Sequence, residues 1–228
     1  CIFVGVKAHN SNYNIYYNDS RKEKIDEIDF YKPKKAFSNT DVNDAPDMVL
    51  GISSEEIKLM KAIKSNSWTI DDIALEMASG ISTGSDKIFK IEYAFAKEND
   101  LEDELLKPVL VGGDIDKYKI IDNNNLLIYT ARDTEINRFN NIKNYLADYK
   151  NILGQRSETK QGILPWYALG RQRYPELFEE EKIIMRQTSD SIRATLDNKG
   201  YYTLNSILVF KINPKIQVSY KYALIMLN

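Results

Sequence analysis

Short apolar runs typical of β-strands dominate the C-terminal half of the chain. Four of them are rich in β-branched and aromatic residues and cover residues 126–130, 182–187, 192–197 and 202–212. The triplet Asn198-Lys199-Gly200 predicts a turn between the last two runs. Together with two helical segments, these runs predict an α+β (mixed α/β) fold, in which a mixed, mostly antiparallel sheet is flanked by a few helices.

Two segments carry the apolar spacing of three to four residues that predicts an amphipathic helix. In the first, Ser53 or Ser54 can cap a helix that ends before Asn66. Its apolar side consists of Ile57, Met60 and Ile63. The second helix is predicted over residues 135–151, and Gly154 ends it.

The first 50 residues differ in composition from the rest. Two short β-prone runs, residues 2–7 and 14–17, are separated by polar residues and predict a hairpin. Residues 18–50 are polar and charged and contain Pro33 and Pro46, which predicts a linker with one strand at residues 27–31. We therefore expect a short β-hairpin and a linker over residues 1–50, followed by one main domain over residues 51–228.

Composition limits the class of protein. A chain of 228 residues that is 43% hydrophobic can bury one sizeable core and a smaller unit. Its single cysteine, Cys1, cannot form an internal disulfide, and no apolar run approaches the roughly 20 residues that span a bilayer. We expect a soluble, cytoplasmic protein with no membrane partner.

The formal net charge of -2 conceals an uneven distribution. Residues 41–116 hold 7 basic and 17 acidic side chains, whereas residues 154–215 hold 10 basic and 7 acidic ones. Five of the eight arginines lie between Arg156 and Arg193, interleaved with aromatic residues. Since charges beyond a Debye length of about 8–10 Å are largely screened, a basic face can bind phosphates even on an acidic chain. The same pattern also fits an ordinary solvated surface.

An ordered series of short motifs runs through the chain from about Trp68 to the last residue. In chain order these are Gly80-Ile81-Ser82-Thr83-Gly84 with Phe89, Lys107-Pro108 with Gly112-Gly113-Asp114-Ile115, the segment 145–153 with Arg156, Trp166-Tyr167 with Leu169, Phe178 with Lys182-Ile183-Ile184, Asp197 with Gly200-Tyr201-Tyr202, and Ala223-Leu224 with Leu227-Asn228. Together they resemble the TaqI-like specificity domain. This family is the DNA target-recognition domain of adenine-N6 DNA methyltransferases, including type IIG enzymes that join methylation and restriction in one chain.

The resemblance implies a division of labour within a longer parent protein. Residues 1–50 would be the tail of a methyltransferase domain plus a linker, and residues 51–228 the target-recognition domain, with double-stranded DNA as its partner. None of the six prolines is followed by another proline, and the chain has no Gly-x-Gly loop, so the catalytic tetrapeptide and the S-adenosylmethionine loop are missing. We expect no cofactor in this fragment. The parent would carry S-adenosylmethionine upstream of Cys1, with Mg²⁺ as a further candidate.

Candidate DNA contacts follow from the resemblance and from the chemistry of the side chains. Arginine forks bind phosphates and guanine edges bidentately, and residues that follow strands are suited to reading a groove. The candidates are Ser82, Thr83, Lys87, Arg156, Arg171, Arg173, Arg186, Gln187, Thr188 and Arg193. Candidate structural loop residues are Gly80, Gly84, Gly112, Gly113, Trp166 and Tyr167. We expect no catalytic residue and no metal ligand in this fragment.

Each candidate also has a plainer interpretation. The Gly80 to Gly84 loop fits a simple turn between strands ending near Ser79 and beginning near Lys87. Trp166 and Tyr167 are expected to pack the loop onto the sheet rather than to stack on bases. If the segment around them is extended, we expect Arg171 and Arg173 to point to different sides, one towards DNA and the other towards the carboxylates of residues 179–181.

Two other functions remain open from the sequence. The first is a protein-interaction module that docks a partner through the aromatic segment and the acidic lobe. The second, less favoured, is a magnesium-dependent nuclease that uses Asp47, Glu56 and Lys58. Residues 56–58 lie in a segment with helical spacing, whereas that chemistry normally uses a strand. The only histidine, His9, is expected in a surface turn.

Overall fold

The computed structural model describes residues 14–17, 35–38, 54–121 and 123–228. The chain divides into two compact units, residues 1–69 and 70–228. In the first unit, β1 (Asn14–Tyr17) pairs antiparallel with β2 (Lys35–Ser38). Strand β1 lies where the sequence predicts one, whereas its partner β2 lies within the segment predicted as a linker, where no strand was expected. The strands predicted at residues 2–7 and 27–31, Pro33, Pro46 and His9 fall outside the described residues.

Helix α1 (Ser54–Ser65) begins and ends where the sequence predicts. Acidic residues in its first turn and Lys64 in its last turn complement the helix dipole. The side-chain amide of Asn66 donates to the carbonyl of Ala62 (2.9 Å) and thereby closes the C-terminal turn. Met60 and Ile63, on the apolar side, are 52% and 56% exposed.

The second unit contains a four-stranded antiparallel sheet, which we call the first sheet. Its order is β10-β9-β12-β3. Its strands are β3 (Ala74–Ser79), β9 (Lys182–Arg186), β10 (Ala194–Asp197) and β12 (Ile207–Ile212). Strands β3, β9 and β10 confirm predicted positions. Helix α2 (Ile70–Ile73) precedes β3, and α9 (Tyr220–Leu227) packs beside β10 and β9.

A second four-stranded sheet has the order β11-β5-β8-β4. Strand β11 runs parallel to β5, and the other pairs are antiparallel. The strands are β4 (Lys90–Glu92), β5 (Leu106–Leu110), β8 (Asn125–Ile128) and β11 (Tyr202–Thr203). A short ladder joins β6 (Ile115–Asp116) to β7 (Lys119–Ile120). The mixed α+β fold is therefore confirmed.

The remaining helices are short and lie in the connections. They are α3 (Asp86–Phe89), α4 (Tyr93–Glu98), α5 (Asn140–Ala147), α6 (Lys150–Leu153), α7 (Ser157–Lys160) and α8 (Glu176–Glu179). The helix predicted over residues 135–151 is broken into a 3-10 turn (Ile136–Arg138), α5 and α6, which stops before Gly154 as expected. Within residues 54–121 and 123–228, no helix is long and apolar enough to cross a bilayer.

The single strand predicted over residues 202–212 is wrong, because a tight turn divides it. The amide of Ile207 donates to the carbonyl of Leu204 (3.0 Å), so β11 and β12 enter different sheets. The turn predicted at residues 198–200 is present, with Gly200 at a φ of 77°. It leads from the first sheet to the second, and the strands on either side of it do not pair with each other.

Alternating side chains give the first sheet two apolar faces. Ile184 and Val209 point into the main core between the sheets, together with the buried rings of Phe89, Phe178 and Tyr202. The intervening residues, including Ile183 and Phe210, form a smaller core with Ala223 and Leu224 of α9. The first sheet is therefore packed on both faces.

A buried ion pair closes one end of the β9–β10 hairpin. The ammonium of Lys182 lies 2.6 Å from a carboxylate oxygen of Asp197, and both side chains are fully buried. Lys182 also donates to the carbonyl of Phe178, while Asp197 accepts from the amides of Lys199 (2.8 Å) and Tyr201 (3.0 Å). Burial lowers the pKa of Lys182, against the opposing effect of Asp197. The pair joins both strands to the turn that follows β10.

We expect Lys182→Met to lower the free energy of unfolding by about 3–5 kcal/mol, because the Asp197 carboxylate would lose its buried counter-charge. Urea unfolding followed by circular dichroism measures the loss. Lys199→Met is the matched control, since its side chain is exposed in the same turn, and its effect should stay within about 0.5 kcal/mol. Equal losses in the two variants would contradict this account.

Candidate nucleic-acid interface

One end of the first sheet gathers side chains from separated parts of the chain. The amide of Gly80 donates to the carbonyl of Ile207 (2.9 Å), Ile207 lies opposite Arg186, and the Arg186 amide donates to the carbonyl of Arg193 (3.1 Å). These four residues form a row across β3, β12, β9 and β10. We call this end of the sheet the arginine end.

An extended segment, residues 168–173, runs beside the residues that follow β3 and is here called the strap. The amide of Leu169 donates to the carbonyl of Thr130 (2.9 Å), and that of Gly170 to the carbonyl of Thr83 (3.1 Å). Ser82 and Arg171 exchange both backbone hydrogen bonds, at 3.1 and 2.7 Å. The backbone of the strap is thus hydrogen-bonded to two segments: residues 82–83, and Thr130 shortly after β8.

Side chains fix the outer part of the strap. The carbonyl oxygen of the Gln172 side chain accepts from the amide of Arg132 (2.7 Å). On the other side of the chain, the hydroxyl of Tyr129 donates to the carbonyl of Arg173. Burial raises the pKa of Tyr129, with nearby carboxylates adding to the effect, so this hydroxyl stays a donor at neutral pH.

Both strap arginines reach the same serine at the end of β3. The Ser79 hydroxyl accepts from Arg171 (3.0 Å) and Arg173 (3.1 Å), and Arg173 also donates to the Ser79 carbonyl (3.0 Å). The expectation that the two would point to different sides is wrong, because positions two apart on an extended chain share a side. Nor does either of them pair with the carboxylates of residues 179–181: Glu179 accepts from Tyr202, and Glu180 pairs with Lys211.

Arg186 and Arg193 are bonded to the segment that contains Gly112 and Gly113. Arg186 donates to the carbonyls of Ile115 (2.7 Å) and Gly113 (3.4 Å). Arg193 forms ion pairs with Asp116 (3.1 Å) and Asp190 (3.3 Å). The backbone amide of Lys117, with Arg193 and Lys119, lowers the pKa of Asp116. These arginines are half-buried, whereas Gln187 and Thr188 beyond them are exposed.

Arg156 lies away from the arginine end and is occupied by backbone carbonyls. Its guanidinium donates to the carbonyls of Leu153 (3.0 Å), Ala168 (2.8 Å) and Trp166 (2.7 Å), with longer bonds to those of Pro165 and Thr83. Burial lowers its pKa. The structure thus gives Arg156 the position of a clamp on the segment that leads into the strap.

The Gly80 to Gly84 loop is shaped by internal hydrogen bonds. Thr83 is buried, and its hydroxyl donates to Asp86 (2.5 Å) while accepting from the amide of Ser85 (3.0 Å). These bonds start α3, so the strand predicted near Lys87 begins only at Lys90. Ser82 is half-buried and Lys87 is exposed. Of the loop candidates, Lys87 is therefore the most accessible side chain.

Close packing explains most of the loop glycines. A Cβ at Gly80 would lie 2.6 Å from the Thr203 hydroxyl and closer still to two backbone carbonyls. Gly84 has a φ of 81° and packs against Arg156. A Cβ at Gly112 would lie 3.3 Å from the Ser206 carbonyl, whereas Gly113 has open space around it. Gly113 is thus the loop glycine that tolerates a side chain.

Trp166 and Tyr167 pack onto the main core, as expected. Their rings meet edge to face at 5.7 Å between centroids, and the ammonium of Lys150 lies 5.4 Å from the centre of the Trp166 ring. Both residues are half-buried. They join the segment that leads into the strap to the main core.

Sequence reasoning missed the residues that hold the arginines in place. Ser79 and Asp116 belong to two separated segments, and nothing in the sequence marks either of them as the partner of an arginine. Arg132 follows a predicted strand and lies beside Gln172, so its exposed side chain adds another cation near the strap. Its position just after the strand predicted at residues 126–130 is the feature of the sequence that could have identified Arg132 as a candidate.

The described residues give no support to the magnesium site. Glu56 and Lys58 lie in α1, as the helical spacing predicts, and Asp47 falls outside the described residues. Within the parts of the chain that the structure describes, no group of three histidine, cysteine, aspartate or glutamate side chains could hold a metal ion.

We expect Gly80→Ala to destabilise the protein by about 1–3 kcal/mol or more, since the added methyl group would force β3 away from the turn between β11 and β12. Gly113→Ala is the control and should stay within about 0.5 kcal/mol, because its Cβ would meet nothing within 4 Å. Thermal and urea unfolding of both variants provide the measurement. A neutral Gly80→Ala variant would show that the backbone there is not closely packed.

We expect Arg156→Met to lower the free energy of unfolding by about 2–4 kcal/mol, because the carbonyls of Trp166 and Ala168 would lose their donors. Arg132→Met, an exposed arginine, should change it by less than about 0.5 kcal/mol. Urea unfolding distinguishes the two. An Arg156→Met variant with wild-type stability and impaired DNA binding would instead make Arg156 a direct contact.

Comparison with known proteins connects this arrangement to a family. Among solved structures, the type IIL restriction-modification enzyme MmeI in complex with DNA is similar, with 11% sequence identity and a TM-score of 0.48. The similarity covers 63% of this chain and 20% of that one, so the chain corresponds to about a fifth of MmeI's length. The sequence profile of the TaqI-like C-terminal specificity domain matches residues 107–228, a range that includes the strap, β9 to β12 and every quoted motif except the Gly80 block. The chain belongs to the TaqI-like C-terminal specificity domain family.

Proposed function

We propose that this chain is the DNA target-recognition domain of a type IIG-like restriction-modification enzyme that methylates adenine. Its membership of a specificity-domain family supports the class of function. The proposal depends on one observation: two pairs of arginines from separated segments lie at the same end of the first sheet, Arg171 and Arg173 on Ser79 of β3, and Arg186 and Arg193 opposite each other where β9 ends and β10 begins. Such an end offers several guanidinium groups to the closely spaced phosphates of a duplex.

The charges at the arginine end favour attraction despite the acidic total. Arg171, Arg173 and Arg186 bond to a hydroxyl and to carbonyl groups, which are neutral, so each retains its full charge. Arg193 is paired with two carboxylates, Asp116 and Asp190, so the four arginines and these two aspartates together carry a net charge of +2. Acidic residues more than a Debye length away contribute little at physiological salt.

In the parent protein, the domain would hold a duplex for an upstream methyltransferase domain that binds S-adenosylmethionine. An adenine must leave the base stack before its N6 atom can be methylated, which requires a firm hold on the flanking DNA. We place the recognition domain at residues 51–228, after a methyltransferase tail and linker, and the enzyme in the cytoplasm. The division into compact units falls slightly later, after Thr69.

A protein-interaction module remains the second candidate, and exposed apolar side chains on α9 favour it. Tyr222, Ile225 and Met226 are between 58% and 69% exposed on one side of that helix. Apolar side chains grouped on a surface mark many docking sites. Under this alternative, duplex DNA would bind no better than an unrelated polyanion.

We expect the double variant Arg171→Ala, Arg173→Ala to bind duplex DNA several-fold more weakly than the wild type. Each lost phosphate contact should also reduce the slope of log affinity against log salt by about 0.9. Fluorescence anisotropy of a labelled duplex across a salt series, with heparin as competitor, measures both quantities.

The charge-matched control is Lys199→Ala, Lys215→Ala. Both lysines are exposed, and they follow the last residues of β10 and β12, at the end of the first sheet opposite to the arginine end. The affinity for DNA and the salt slope of this control should therefore stay near the wild-type values. Equal binding by the arginine variant and the wild type would remove the strap from the interface. If heparin at the same concentration of negative charge displaced the duplex at every salt concentration, DNA would be bound no better than another polyanion, which would favour the protein-interaction module.

A further inference from the structure

The β9–β10 loop, residues 187–192, extends beyond the arginine end. All six of its residues are exposed. It contains no lysine or arginine, and its only charged residue, Asp190, is paired with Arg193. The loop therefore supplies no positive charge to attract phosphates. Its remaining side chains are an amide, three hydroxyls and an apolar group, from Gln187, Thr188, Ser189, Ser191 and Ile192.

The first end of the loop is fixed to two neighbouring segments. The amide of Gln187 donates to the carbonyl of Ser206 (2.9 Å), and the Arg186 guanidinium donates to the carbonyl of Ile115 (2.7 Å). The Ser206 hydroxyl in turn accepts from the amide of Gly112 (2.9 Å). The backbone at Gln187 is thus positioned by β12 and by the Gly112 turn together.

The second end of the loop is fixed as firmly. Arg193 holds Asp116 and Asp190, and the backbone of Ala194 exchanges two hydrogen bonds with the side-chain amide of Asn228, each 3.0 Å long. The amide of Tyr118 also donates to the carbonyl of Ala194 (2.9 Å). A short exposed loop with both ends pinned is presented in a fixed position, which favours recognition by lowering the entropy lost on binding.

Most of the polar groups of the loop are free to bind a partner. The hydroxyl of Ser189 donates to Asp190 (3.3 Å). The side chains of Gln187, Thr188 and Ser191 have no hydrogen-bond partner among the described residues. A glutamine amide can donate and accept in the pattern that adenine presents in the major groove, and an apolar side chain fits the thymine methyl group. A two-stranded β-ribbon is narrow enough to enter that groove.

We infer that the β9–β10 loop reads base edges in the major groove, with Gln187 on an adenine and Ile192 against a thymine methyl, while the strap arginines bind phosphates. The inference rests on the proposed function and deepens it. It assigns affinity and sequence discrimination to different parts of the arginine end. The recognised sequence therefore contains an A·T base pair at the position that Gln187 contacts.

The test is selection of binding sites from a randomised duplex library by the full chain. We expect the wild type to enrich a motif with an A·T pair, and Gln187→Ala to lose about 5- to 100-fold of the discrimination at that one position. Its affinity for non-specific duplex and its salt slope should match the wild type. Ile192→Ala should relax the preference for thymine at the same pair or the adjacent one.

The matched control is Asn198→Ala, which truncates an exposed amide at the opposite end of β10 and should leave the motif unchanged. The strap double variant should bind all sequences more weakly and keep the same motif. An unchanged motif and discrimination in Gln187→Ala would overturn the inference. Salt-dependent duplex binding by a wild type that enriches no motif would overturn it too while leaving the proposed DNA binding intact, and absence of duplex binding would end both.

Discussion

The buried pair of Lys182 and Asp197 fixes the register on which the arginine end depends. The two residues are cross-strand partners at one end of the β9–β10 hairpin, and Arg186 and Arg193 meet at the other. A slip of one residue would turn every side chain to the opposite face of the sheet. It would also leave a fully buried carboxylate without its ammonium partner, at a cost of several kcal/mol. An interaction far from the candidate interface therefore determines which side chains reach it.

The turn after Asp197 carries this constraint into the second sheet. It leads to Tyr202, whose ring packs against Phe178 (4.7 Å between centroids) and Tyr129 (5.3 Å). Burial raises the pKa of Tyr202, and its hydroxyl donates to Glu179 (3.0 Å). Leu169 joins the strap to the main core directly, and Tyr129, which donates to the carbonyl of Arg173, joins its far end. The two sheets and the strap are thus one connected structure.

Local patterns predicted most strands of the first sheet, but they predicted neither β2 and β5 to β7 nor the partners that shape the site. Runs of β-branched residues place β8, β9 and β10 within about two residues, since strand preference is expressed locally. The break between β11 and β12 falls at Leu204-Asn205-Ser206, so two polar residues with turn preference mark it in the sequence, and the prediction of a single strand overlooked them. The convergence of Arg171 and Arg173 on Ser79 spans more than 90 positions of sequence, so only the pairing of strands brings them together.

The chemistry of each arginine's partner separates attraction from positioning. An arginine that bonds to a hydroxyl or a carbonyl keeps its net charge, whereas one held by two carboxylates contributes mainly geometry. Arg171 and Arg173 are of the first kind, and Arg193 is of the second. Positive charge is therefore concentrated at Arg171, Arg173 and Arg186, while the β9–β10 loop at the same end of the sheet is nearly neutral and is fixed at both of its ends. A duplex attracted to the strap would meet this loop in a fixed orientation, and neutral hydrogen-bonding groups there can distinguish base pairs without strengthening non-specific binding.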